Sequence, residues 1–124
     1  MGGANVEELF SRAAEAMFDI IAEIKSPGLS VINSPFKNQI RLKADSIEEL
    51  LINWLNELLS LSATKELVFS DFKIQIQNNN LEAEAVAKEM KNYRVKSEIK
   101  AATYHQLKII KIAEGWQAEV IFDV

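Results

Sequence analysis

The chain has no cysteine, which removes disulfides, zinc-thiolate sites, iron–sulfur clusters and thiol nucleophiles as chemistry it can carry alone. That absence suits a reducing compartment, and a cytoplasmic location is the expectation. Glycine and proline are scarce, four and two in 124 residues, so neither a low-complexity linker nor a glycine-rich phosphate loop is present. No apolar run approaches the roughly 18 to 20 residues of a membrane-spanning helix. The start, Met1-Gly-Gly-Ala-Asn, lacks the basic and apolar regions of a signal peptide, and no membrane partner is expected. Cationic charge is also short: the net charge is −4, and Arg12, Arg41 and Arg94 form no cluster. Tight direct nucleic-acid binding is therefore not expected.

What is present is the balance of a soluble globular protein, 48% hydrophobic and 26% charged, at a length that fits one domain over residues 1–124. Asn5 with Glu8 forms a helix start. Val6, Leu9, Phe10, Ala13, Ala14, Met17, Ile20, Ile21 and Ile24 then recur at spacings of three and four, predicting a helix of about six turns. Lys25 falls in its last turn, and Ser26-Pro27-Gly28 ends it. The Met17 and Phe18 pair reads as core packing. Residues 29–37 read as a connection. Gln39–Lys43 alternates as a half-buried strand. Ser46 with Glu49 repeats the capping signature before a second helix of about four turns, built on Ile47, Leu50, Leu51, Trp54, Leu55, Leu58 and Leu59. Asn53, Asn56 and Glu57 read as its solvated face.

Two strands follow, Leu67–Gln77 and Leu81–Ala87, with a turn at Asn78-Asn79-Asn80. Leu67 and Phe69 are out of phase with Phe72, Ile74 and Ile76, so a bulge is expected near Ser70-Asp71. Residues 88–96 read as a surface loop. Ile99, Ala101 and Thr103 alternate, Leu107 and Ile109 begin another strand, and Glu114-Gly115 turns into a final strand with Trp116, Ala118, Val120 and Phe122 on one face. The expected fold class is α+β, with two long helices on one side of a mostly antiparallel mixed sheet.

The chemistry concentrates in the last quarter. Asp123 adjoins the terminal carboxylate of Val124, two hard oxygen donors that suit calcium or magnesium once a third carboxylate joins them; a frayed acidic end has the same spacing. The lone His105 can be base, acid, ligand or a hydrogen-bonded structural residue. No Ser or Cys nucleophile motif and no H-x-x-x-H pair accompany it, so an autonomous enzyme lacks its usual parts.

Glu98-Ile-Lys-Ala-Ala-Thr-Tyr-His105, the ending Val120-Ile-Phe-Asp-Val124, the stretch Asn53-Trp-Leu-Asn-Glu-Leu-Leu59, and Val6-Glu-Glu-Leu-Phe10 with Ala13-Ala14 together resemble the archease family. The likeness runs through essentially the whole chain in order. It implies a cytoplasmic accessory protein of the tRNA-splicing RNA ligase, which promotes GTP-dependent guanylylation and turnover of that ligase without being an enzyme itself. It also implies a divalent cation, calcium first, held by Asp123 and Val124, and a functional surface of Lys100, Thr103, Tyr104 and His105. One departure accompanies it: family members begin with a strand carrying an H-T-A-D motif whose Asp completes the metal site, and that strand would precede Gly2. The expectations are a site one carboxylate short and an exposed sheet edge open to homodimerisation. A non-catalytic binding module that keeps the fold and has lost metal-dependent activity is the alternative.

Overall fold

Asn5 starts the first helix as its side chain predicts: Oδ1 accepts the Glu8 backbone N–H at 2.8 Å, and Glu7 and Glu8 lie at the positive end of the helix dipole. The computed structural model describes residues 2–24 and 36–124. Helix α1 spans Val6–Ile21 and buries Leu9, Phe10, Ala13, Ala14, Met17, Phe18 and Ile21. The expected continuation to Ile24 does not occur. At Ala22 the backbone becomes extended (φ −152°, ψ 155°), and the Ile21 carbonyl accepts the N–H groups of Lys96 at 2.7 Å and Ser97 at 3.3 Å. Ile20, placed on the apolar stripe by its spacing, is exposed.

Ala22–Ile24 instead forms strand β2, antiparallel to β6 at Tyr93–Val95. This corrects the reading of 88–96 as a loop: β5 runs Asn80–Glu89, one 3-10 turn covers Met90–Asn92, and β6 follows. Three residues are too few for a period of two to show among the neighbouring lysines. Phe36 and Lys37, expected in a connection, open strand β3, Phe36–Lys43. The rest of that connection, with Lys25 and Ser26-Pro27-Gly28, lies outside the described residues.

Helix α2 spans Ile47–Lys65, longer than its apolar spacing suggested, with Ser46 Oγ accepting the Glu49 N–H at 3.1 Å. It packs against β7 (Ala101–Ile112) as well as against α1, β3 and β4 (Leu67–Gln77), which explains why Ile52 is buried as fully as the stripe residues. Trp54 is fully buried; its indole N–H donates to the Phe10 carbonyl at 3.1 Å and its ring meets Phe72 edge-on, centroids 5.7 Å apart.

The α+β class holds, and every described strand pair is antiparallel. Hydrogen bonding divides the strands among three sheets: β3-β5-β4, β2-β6, and β1-β8-β7, where β1 is Gly2–Gly3 and β8 is Gly115–Asp123. The bulge expected near Ser70 is present between Phe69 and Asp71, and Asn78 and Asn79 close the β4–β5 hairpin with left-handed φ of 52° and 58°. Gly115 also needs its glycine, since φ is 141° and a Cβ there would strike the Gly3 carbonyl. Buried side chains from both helices and from all three sheets join one apolar cluster.

Candidate functional site

The β7–β8 ladder begins as a regular antiparallel pair and then fails. Thr103 faces Ile121 and Lys108 faces Glu119, so the four residues Tyr104 to Leu107 stand opposite Val120 alone. Gln106 carries a left-handed φ of 53°, a conformation sparsely populated by residues other than glycine and enriched at functional sites. One long strand with an enlarged bulge therefore replaces the two strands expected on either side of His105. Within the bulge Tyr104, His105 and Gln106 are exposed, while Leu107 returns to the apolar cluster.

On the amino-terminal side of the bulge, the Lys100 N–H donates to the Asp123 carbonyl at 2.7 Å, and the Thr103 hydroxyl donates to the Ile121 carbonyl at 3.1 Å. These bonds set Lys100 beside Asp123 at the end of the ladder and Thr103 beside Ile121, one residue before the bulge that carries Tyr104 and His105. Lys100, Asp123 and Val124 are exposed and Thr103 is half-buried. Among the described residues no hydrogen bond or ion pair holds the His105 ring or the Lys100 ammonium. The reading of His105 as a hydrogen-bonded structural residue is thus not met. The expected alternation of Ile99, Ala101 and Thr103 also shifts, because the buried residues are Ile99 and Ala102.

Ala102 is held by a residue the sequence reading placed in solvent. Asn56 on α2 is half-buried; its Nδ2 donates to the Ala102 carbonyl at 3.1 Å and its Oδ1 accepts the Ala102 N–H at 2.7 Å. A side-chain amide thus supplies both bonds that a neighbouring strand would have made, one residue before Thr103. The available signal was an asparagine recurring at helical spacing beside the apolar stripe, on a helix with two packed sides. Glu49, expected as a capping residue on the polar side of this helix, caps α2; burial first, and then the Glu49 carboxylate, raise the Tyr104 phenol above its usual pKa.

Among the described residues this end does not supply a full set of cation ligands. Asp123 and the Val124 carboxylate supply at most four oxygens, whereas calcium takes about six to eight, and among the described residues no three acidic, histidine or cysteine side chains group together. The residues present do not fit a self-contained calcium site. They do offer an exposed ammonium, imidazole, phenol and carboxylate on a backbone fixed by Asn56.

The family model that matches residues 1–124 is the Archease protein family (MTH1598/TM1083). Among curated proteins the chain is similar to protein archease of Methanosarcina barkeri, 38% identical over 129 residues, covering 98% of this chain and 85% of that one. It is also similar to protein archease of Pyrococcus abyssi, 31% identical, covering 98% and 87%. Among solved structures, the crystal structure of an archease from Thermotoga maritima, described as a possible chaperone, aligns with a TM-score of 0.70 at 20% identity over 100% of this chain and 87% of that one. The solution structure of Methanobacterium thermoautotrophicum protein 1598 aligns with a TM-score of 0.66 at 25% identity, over 94% and 83%.

Proposed function

The chain belongs to the archease family, and from that premise we propose that it is a cytoplasmic accessory protein of a tRNA-splicing RNA ligase, promoting GTP-dependent guanylylation and turnover of the ligase without catalysing ligation itself. The observation that carries the reading is the enlarged bulge of β7. It presents Tyr104 and His105 to solvent opposite Val120, along the same β7–β8 ladder whose end carries Lys100 and Asp123. These are the positions the family resemblance marks. Lys100 supplies an ammonium suited to a phosphate or carboxylate of the partner. His105 and Tyr104 supply adaptable hydrogen-bonding groups. Asn56 fixes the strand that carries them. The test is to mix the protein with its cognate ligase and GTP and to measure covalent guanylylation of the ligase; stimulation at equimolar protein is expected, and no change in guanylylation or ligation rejects the reading.

A divalent cation, calcium first, enters this reading as a ligand of Asp123 and Val124 whose remaining donors come from outside the described residues. A second reading is a binding module with the same fold and without metal-dependent activity. Calorimetric titration with calcium separates the two. Micromolar binding abolished by Asp123→Asn supports the metal-dependent activator, and no heat supports the module.

A further inference from the structure

Strand β7 lies at the edge of its sheet. In the order β1-β8-β7 it pairs with β8 alone, and among the described residues no strand lies on its other side. Near its start the Asn56 amide takes up both backbone groups of Ala102. Beyond the bulge, residues 108–112 pair regularly with residues 115–119, and among the described residues no hydrogen bond reaches this stretch from the open side. Every second residue of an antiparallel strand turns its N–H and C=O away from its neighbour, so alternate residues of this stretch offer both groups outward.

The charge along this edge is of one sign. β7 contains Lys108, Lys111 and His105 and neither Asp nor Glu, in a chain whose net charge is −4. Lys108 and Lys111 are exposed. Glu119 stands opposite Lys108 on β8, yet among the described residues no ion pair joins them. Lys111 lies over the Trp116 ring, 5.9 Å from its centroid. Between the two lysines Ile110 is 51% exposed. Lysines at an edge repel the like edge of another copy, but an isoleucine left bare between them adds nothing to that protection. The combination fits an added strand of opposite charge, in which main-chain bonds supply the pairing and alternate side chains the selection.

We propose that residues 108–112 accept an extended acidic segment of a partner polypeptide as a further antiparallel strand. Cross-strand neighbours then set its pattern: an acid opposite Lys111, an apolar residue opposite Ile110 and a second acid opposite Lys108. Along the segment this reads acid, apolar, any residue, acid. The surface lies on the far side of the bulge from Lys100 and Asp123, and it does not depend on the ligase reading.

The test is a titration followed by backbone amide NMR, with a synthetic peptide of Glu-Val-Thr repeats in one arm and its Lys-Val-Thr counterpart in the other. The acidic peptide should give saturable shifts confined to residues 108–112 and their β8 partners, weakening with added salt. It should also slow hydrogen exchange at alternate amides of that stretch, as ladder bonds do and a purely ionic contact does not. Lys108→Gln with Lys111→Gln should lower affinity about tenfold while leaving the rest of the spectrum in place. A proline at the centre of the peptide should abolish binding, since it removes a ladder donor. No localised shifts at millimolar acidic peptide, equal binding of the lysine peptide, shifts without slowed exchange, or unchanged affinity in the double variant overturns the proposal. Shifts at the same amides that grow with protein concentration in the absence of peptide assign the edge to a second copy and overturn it as well.

Discussion

Strands β4 and β7 are nearly equal in length, eleven and twelve residues, and each is interrupted once. In β4 the interruption is the single residue Ser70, and it serves the core: Leu67, Val68 and Phe69 are buried before it, and Phe72, Ile74 and Ile76 pack against the apolar cluster after it. In β7 four residues oppose one, and three of the four are exposed. Both bulges change the phase of a strand. The first keeps apolar side chains on one face; the second gives up ladder hydrogen bonds to present polar groups, which packing alone does not reward.

Substitutions can break this contrast, and the largest effect is expected in β4. Phe69, fully buried against Phe18, should cost about 3 to 5 kcal/mol when changed to alanine, read by urea denaturation. On the β7 side Asn56→Ala removes both bonds to Ala102 and should cost about 2 kcal/mol. It should also lower ligase stimulation more than Asn53→Ala does. Gln106→Gly relieves a left-handed φ and should raise stability by about 1 kcal/mol, while loosening the bulge enough to reduce stimulation; a loss of stability there would show that the Gln106 side chain holds the bulge. Tyr104→Ser, at a half-exposed position, should change stability by less than about 0.5 kcal/mol.

The smallest expected effect is on pH dependence. The Tyr93 phenol titrates above its usual value of 10.0 in the folded protein, through burial and then Asp71. Folding therefore holds this proton more tightly than the unfolded chain does. The contribution is fully present below the unfolded pKa and is lost as the pH rises through the folded one. Stability should fall in the alkaline range above about pH 10, and Tyr93→Phe should flatten that fall, measured by denaturation at several alkaline pH values.

The contrast also explains what could be read from sequence. The β4 bulge was legible because apolar residues on both sides of Ser70 recorded the phase change. The caps at Asn5 and Ser46 were legible because a short polar side chain before an apolar stripe has a local role. The end of α1 was not, because the Ile21 carbonyl is satisfied by Lys96 and Ser97, far away in sequence, and Ile24 kept helical spacing by accident. The β7 bulge was legible only as chemistry: the family resemblance marked Thr103, Tyr104 and His105, but no apolar pattern records a segment whose displaced residues face solvent. Asn56 was missed for the related reason that an amide pairing with a distant strand has the same helical spacing as an amide in water.

A further consequence concerns the other edge of β8. Gly2 and Gly3 pair only with Gln117 and Trp116, and among the described residues no strand pairs with Glu119–Asp123 on that side. Light scattering over a range of concentrations tests whether a second copy pairs along this stretch of β8: a dimer whose population rises with concentration is the expected outcome, and a monomer at every concentration would reject it.

The most direct test of the account separates the exposed end from the core. Lys100→Ala and Asp123→Asn should leave the urea midpoint unchanged and abolish stimulation of ligase guanylylation by GTP, measured as covalent nucleotide on the ligase. Full stimulation by both variants, at wild-type stability, would contradict the assignment of function to the β7–β8 end.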